Sequence, residues 1–155
     1  HLNVDQLTSI NQRLHEPIPR IELGIALRGF VSAGIDISDG LLGDLRHILK
    51  ASDVSAEIWL DLLPVSCILQ EQQNHIRRQC AAAGGDDYEL CFTAPQCHRS
   101  RIQEISHDLD IPLTRIGQLV NNKRIAPNMT LLDQDGKALD TELTNSLLQS
   151  FDHFK

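Results

Sequence analysis

The chain has 155 residues and a formal net charge of −7, and 41% of its residues are hydrophobic while 23% are charged. That length suits one domain with its own core, and the composition is typical of a globular protein rather than a disordered one. The acidic balance argues against nucleic acid and anionic membranes as partners, because both require basic patches. No apolar run approaches the roughly 18 residues of a membrane span, so we predict no membrane partner.

The cysteines and the N-terminus bear on where the protein works. No pair of the 4 cysteines has C-x-x-C spacing, which argues against a zinc knuckle or a thioredoxin-like motif. The first residues lack the charged and apolar regions of a signal peptide. We therefore expect reduced thiols in a cytoplasmic protein. The chain does not begin with Met, and we expect it to be a piece of a longer protein.

Predicted helices and strands interleave along the chain. The spacing of apolar residues predicts helices over residues 3–14, 21–29, 40–52, 68–83, 95–109 and 145–155. Apolar runs predict strands over residues 30–38, 55–60, 88–93 and 113–120, and a strand, an Asp-Gly turn and another strand within 128–139. This order predicts an α+β domain in which a mixed β-sheet is layered with α-helices.

The first candidate site is the acidic turn "IDISDG", where the strand ends and the helix over 40–52 begins. Side chains alternate along a strand, so Asp36 and Ser38 are predicted to share the face opposite the core. Asp39 precedes the helix at a natural N-cap position, and Asp44 is predicted to face away from the apolar stripe of that helix. A helix N-terminus attracts anions, and carboxylates beside it suit a Mg²⁺–phosphate group.

The second candidate site is the similar turn "GGDDYEL", which leads into the strand over 88–93. Asp86 and Asp87 stand at the strand entrance, after two glycines that permit unusual backbone angles. Tyr88 is predicted to alternate onto the core face of this strand. The alternative for both turns is that the acids only cap helices or face solvent. Nucleophile motifs, a Walker A motif and G-x-G-x-x-G are all absent from the sequence.

These segments resemble the thiamine-monophosphate kinases, which belong to a superfamily with aminoimidazole ribonucleotide synthetase. The resemblance is carried, in the order of the family, by "PIPRIELGIAL", "AGIDISDGLLGDLRHI", "LLPVS", "GGDDYELCFT" and "FDHF". It covers only the C-terminal half of such an enzyme. It implies that residues 1–30 are a helical connector from an absent ATP-binding half, and that residues 31–155 are the C-terminal α+β domain.

The resemblance also implies roles for single residues. Asp36 and Asp39 match acids that bind Mg²⁺, with Asp39 nearest the transferred phosphate, and Ser38 matches a serine that contacts the nucleotide. Asp86 stands where the family has a substrate-binding Glu, so its side chain is one methylene shorter. Phe151 matches an aromatic residue that packs on the substrate.

The activity implied is transfer of phosphate from ATP to thiamine monophosphate, with Mg²⁺, in an enzyme that forms a homodimer. We expect the isolated chain to fold but to show little or no kinase activity, because the resemblance implies that the absent half supplies most of the ATP and metal site. Two alternatives remain open at this point. One is another ATP-dependent synthetase of the same superfamily, and the other is a non-catalytic module that binds a ligand.

Overall fold

The structure is a computed structural model that describes residues 3–121 and 128–149. Its helices are α1 (Val4–His15), α2 (Ile21–Ala26), α3 (Leu41–Ser52), α4 (Cys67–Gln70), α5 (Asn74–Ala83), α6 (Arg99–Asp108) and α7 (Thr141–Gln149). Its strands are β1 (Ala33–Asp36), β2 (Ser55–Trp59), β3 (Leu90–Thr93), β4 (Gly117–Val120) and β5 (Met129–Leu132). Among the described residues, no helix combines the length and the apolar character needed to cross a bilayer.

The strands form two small sheets. β1 pairs antiparallel with β3, in a register that sets Ile35 opposite Cys91. In the other sheet β2 lies between β4, to which it is antiparallel, and β5, to which it is parallel. The predicted α+β class with a mixed sheet is therefore confirmed.

Helix α3 supplies the centre of the main core. Its apolar stripe is buried, and Leu42 is fully inaccessible to solvent. The same cluster takes in Ile58 from β2, Cys91 from β3 and Leu131 from β5. Residues 37–40 separate β1 from α3, and both elements contribute side chains to this cluster, so the turn between β1 and α3 is held at each end by packed structure.

A second buried cluster lies on the other face of the β1–β3 pair. Leu23 and Leu27, within and just after α2, pack with Ile105 of α6 and with Leu90 and Phe92 of β3. Strand β3 therefore contributes side chains to both clusters, Cys91 to one and its two neighbours to the other. The residues around α2 thus help to form the fold beneath the acidic turns.

Several predicted elements differ from the observed ones. The strand predicted after the Asp-Gly turn is only an isolated bridge between Leu132 and Ala138, and the last described helix begins at Thr141 instead of residue 145. The single helix predicted over residues 68–83 is two helices, α4 and α5, because the polar run at 70–73 brings no apolar side chain to the core. Helices in proteins are stabilised mainly by packing an apolar face, so a stretch without one breaks easily. Helix α1 forms where predicted, but its apolar stripe stays exposed, with Leu7 45% and Leu14 48% accessible.

Candidate active site

The first acidic cluster forms the turn between β1 and α3. Ile35 and Ile37 pack against the main core as the alternation predicted, while Asp36 is exposed on the opposite side. The N-cap residue of α3 is Gly40, so the predicted capping role of Asp39 is wrong. The φ angle of Gly40 is +107°, which L side chains rarely adopt, and this sharp turn leaves Asp39 exposed instead of folded back onto the helix.

A buried carboxylate beneath the turn binds its backbone. Asp44 is only 4% exposed, and its Oδ2 accepts hydrogen bonds from the N–H groups of Ser38 at 2.9 Å and Asp39 at 3.1 Å. The prediction that Asp44 faces away from the core is therefore wrong. Position 44 lies three residues after Leu41 and four before Ile48, which places it on the buried face. That spacing is the signal that could have identified it.

The second acidic cluster is hydrogen-bonded to the first along the backbone. Past the β1–β3 ladder, the N–H of Ile37 donates to the carbonyl of Glu89, and the N–H of Tyr88 donates to the carbonyl of Ile37, both at 2.8 Å. One step further, the N–H of Asp86 donates to the carbonyl of Ser38, again at 2.8 Å. The pairing of the two strands therefore continues into the two turns and sets them side by side.

Glycine makes this close approach possible. A Cβ atom at position 85 would lie 2.8 Å from the carbonyl oxygen of Ser38 and 3.7 Å from the Cα of Asp39. The next residues are unusual too, since the φ angles of Asp86 and Tyr88 are +64° and +51°. Residues other than glycine rarely adopt this left-handed region, and such strained positions cluster at functional sites.

Tyr88 faces the acids and not the core. Its left-handed φ angle interrupts the alternation that predicted a core position, so that prediction is wrong, and the side chain is 38% exposed. Its hydroxyl donates a hydrogen bond to Oδ1 of Asp86 at 3.1 Å. That bond, with the negative charges of Asp86 and then of Asp36 and Asp39, raises the pKa of Tyr88. Acids from both turns therefore act on one exposed phenol.

An ion-pair network that the motifs did not reveal anchors the second turn. Glu89 accepts two hydrogen bonds from Arg20, from Nε at 2.8 Å and from Nη2 at 2.7 Å, and it also pairs with Arg13 of α1. Arg13 reaches the carbonyl of Asp87 as well, at 3.4 Å. The hydrogen bonds from Arg20, followed by the charges of both arginines, hold the pKa of Glu89 below its usual value.

The acids suit a hard cation that also binds phosphate. Within residues 3–121 and 128–149, no three His, Cys, Asp or Glu side chains lie close enough to hold a metal ion by themselves. Mg²⁺ commonly takes only one or two carboxylates and completes its shell with water and phosphate oxygens. Asp36 and Asp39 offer exposed carboxylate oxygens beside a helix N-terminus, so the residues present fit Mg²⁺ bound together with phosphate.

Four of the five predicted site residues share this surface. Asp36, Ser38 and Asp39 lie in the first turn, and Asp86 is hydrogen-bonded to that turn through its backbone. Phe151 lies outside the described residues. The close backbone contact expected of the glycines is found at Gly85, whereas the role of the buried Asp44 was not indicated by the motifs.

Comparisons with known proteins follow the same motifs. Residues 11–129 match the family described as AIR synthase related protein, C-terminal domain. The thiamine-monophosphate kinase of Haemophilus influenzae is 40% identical over 147 residues, which are 94% of this chain and 43% of that protein. This relative confirms the predicted resemblance to thiamine-monophosphate kinases.

Solved structures share the fold. The crystal structure of thiamine-monophosphate kinase from Stenotrophomonas maltophilia matches with a TM-score of 0.76 at 40% identity, over 89% of this chain and 42% of that one. The structure of AaThiL complexed with AMPPCP and TMP matches with a TM-score of 0.65 at 29% identity, over 90% of this chain and 41% of that one. The chain spans less than half the length of each of these relatives. It belongs to the family of AIR synthase related proteins, whose C-terminal domain it carries.

Proposed function

We propose that the chain is part of an ATP- and Mg²⁺-dependent kinase that converts thiamine monophosphate to thiamine diphosphate. The observation that carries the proposal is the backbone pairing of the two acidic turns, in which the N–H of Asp86 meets the carbonyl of Ser38 at 2.8 Å. It brings the residues proposed for the nucleotide and metal next to the residue proposed for the substrate. A kinase needs that adjacency, because both phosphates must meet at one point.

The reaction requires positioning more than covalent chemistry from the protein. An oxygen of the thiamine phosphate attacks the γ-phosphorus of ATP, the bond to the bridging oxygen breaks, and ADP leaves. In our proposal Asp36 and Asp39 hold Mg²⁺, Ser38 contacts the nucleotide, and Asp86 binds the thiamine substrate. Mg²⁺ would neutralise the charge that develops between the phosphates. The absence of a nucleophile motif agrees with this chemistry.

The relatives support both substrates. The Haemophilus influenzae protein is named thiamine-monophosphate kinase, and AaThiL was solved with AMPPCP, an ATP analogue, and TMP. We propose that Phe151 packs on the substrate, as the family resemblance implies. The proposal further includes a homodimeric full-length enzyme in the cytoplasm, with residues 1–30 connecting to an ATP-binding half.

The proposal is tested with a substrate panel. The protein in its full natural length is assayed with ATP and Mg²⁺ against thiamine monophosphate, formylglycinamidine ribonucleotide and selenide. Turnover with thiamine monophosphate alone supports the proposal, and turnover with another substrate favours a related synthetase instead. Ligand binding without any turnover would favour a non-catalytic module.

The isolated 155 residues provide the matched comparison for that assay. They span 43% of the Haemophilus influenzae relative, so we expect them to bind poorly and turn over far below the 1 per second or so of ordinary kinases. Ordinary turnover by the isolated chain would show that the other half is dispensable.

A further inference from the structure

We infer that Asp44 is a positioning residue that holds the turn bearing Ser38 and Asp39 in its ligand-binding conformation. The inference rests on the proposed function for what the turn binds. What Asp44 does to the turn itself follows from the structure alone.

The contacts of Asp44 are directed at the turn. It is 4% exposed, and one oxygen, Oδ2, accepts from two successive backbone N–H groups, those of Ser38 and Asp39. Gly40, the N-cap residue of α3, makes no side-chain capping bond. The carboxylate of Asp44 therefore binds, from inside the helix, the two amides that lead into it.

Asp44 is itself held firmly. It stands in the first turn of α3, and its own N–H donates to the carbonyl of Gly40 at 3.0 Å. Its neighbour Leu45 is 3% exposed in the main core, and Leu42 is fully buried. Because helix α3 is tightly packed, the carboxylate of Asp44 has a fixed position, and it holds the turn that it binds in place.

Ser38 is consequently fixed at both of its backbone groups. Its N–H donates to Asp44, while its carbonyl accepts from the N–H of Asp86 in the second turn. The same backbone torsions that orient an N–H and a C=O also set the direction of the Cα–Cβ bond. These hydrogen bonds therefore fix the directions of the Ser38 and Asp39 side chains. The orientation of the exposed Asp39 carboxylate thus depends on the buried carboxylate of Asp44.

A charged acceptor suits this task better than an amide. Hydrogen bonds to an ionised carboxylate are about twice as strong as neutral ones. Asp44→Asn keeps the shape of the side chain but loses that charge, so the turn should loosen without loss of the helix. Asp53→Asn is the matched control, because Asp53 is the exposed residue just after the other end of α3, and Asn tolerates its left-handed φ of +52°.

The test uses both variants and the wild type of the full-length protein, with two readouts that need no turnover. Hydrogen exchange is measured at the amides of Ser38 and Asp39, and Mn²⁺ binding in the presence of AMPPCP is measured by electron paramagnetic resonance. We expect Asp44→Asn to speed exchange at both amides and to weaken Mn²⁺ binding by about tenfold each, the loss of roughly one charge-assisted hydrogen bond. We expect Asp53→Asn to change neither.

Several outcomes would overturn the inference. The first is fast exchange at the amides of Ser38 and Asp39 in the wild type. The second is an Asp44→Asn protein with normal exchange and normal Mn²⁺ binding. The third is an Asp44→Asn protein that loses the whole fold, because the role of Asp44 would then be generally structural. Absence of kinase activity beside an intact effect on exchange would reject the proposed function and leave the role of Asp44 in place.

Discussion

Replacement of Gly85 by Ala tests whether the contact between the two turns matters. The added Cβ atom would lie 2.8 Å from the carbonyl oxygen of Ser38, whereas ordinary contacts begin near 3.4 Å. The turns must therefore separate by about 0.6 Å at this point. The atom in the way belongs to the backbone, so no side-chain rotation can relieve the clash.

That displacement should lower both the stability of the fold and the rate of catalysis. The bond from the N–H of Asp86 to the same carbonyl would lengthen from 2.8 Å toward the limit of a hydrogen bond. Overpacking of this kind costs about 1–3 kcal/mol in unfolding free energy. Misplacement of reacting groups by about 1 Å can slow catalysis by roughly a hundredfold, so a shift of just over half that size should lower kcat about tenfold.

Gly24→Ala is the matched control for this change. A Cβ atom there would meet only Cδ1 of Leu90, at 3.9 Å, and Gly24 lies inside helix α2. Alanine is the better helix former by up to about 1 kcal/mol, so this variant should be as stable as the wild type or more so. Denaturant unfolding and steady-state kinetics on both variants of the full-length protein give the comparison. A Gly85→Ala protein with unchanged unfolding free energy and kcat would refute the reasoning.

Three further predictions concern charged residues around the same surface. Asp36→Asn in the full-length enzyme should lower kcat roughly a hundredfold, because a bound metal ion stabilises the charge of the transition state by several kcal/mol. The unfolding free energy should stay within about 0.5 kcal/mol of the wild-type value. Normal rates at limiting Mg²⁺ would contradict this prediction. Asp86→Ala should raise the KM for thiamine monophosphate by about tenfold or more, whereas Asp86→Glu should keep or lower it. Neither variant should alter the KM for ATP. Steady-state kinetics with each substrate varied measures both constants, and an unchanged KM for thiamine monophosphate in Asp86→Ala would contradict the prediction. The pKa of Glu89 lies below the reference value of 4.5, so its ion pairs add stability above about that pH and lose it as the pH falls further. Because the Glu89 side chain is 37% exposed, water screens its ion pairs. Glu89→Gln should therefore lower the unfolding free energy by at most about 1 kcal/mol near neutral pH and leave it unchanged in acid. Denaturant unfolding at several pH values would measure this difference.

The spacing of apolar residues was enough to predict the helix on which the site is built. The apolar stripe of α3 predicted a helix over 40–52, and the observed helix is Leu41–Ser52. The same pattern placed Ile35 and Ile37 toward the core and Asp36 away from it, as the structure has them. Periodicity is reliable here because one face of each element is buried against a single core.

Local pattern failed where the backbone leaves regular geometry. The alternation that predicted a core position for Tyr88 assumes extended residues, and left-handed angles at Asp86 and Tyr88 break it. Asp39 looked like an N-cap residue, but a turn that only glycine adopts easily puts Gly40 there. Asp44 is polar, and polarity argued for solvent, although its spacing matched the buried face.

The sequence by itself determined which residues were candidates, since glycines, acids and a serine crowd at two strand ends and follow the motifs of one family. Only the tertiary structure decided that the two turns meet, because the register of β1 on β3 sets Asp36 opposite Leu90 and carries the pairing on to Ser38 and Asp86. It also decided that a buried carboxylate, Asp44, is stable in the core. Two backbone N–H groups from the neighbouring turn satisfy that charge, and such partners are not visible in the spacing of residues along a single helix.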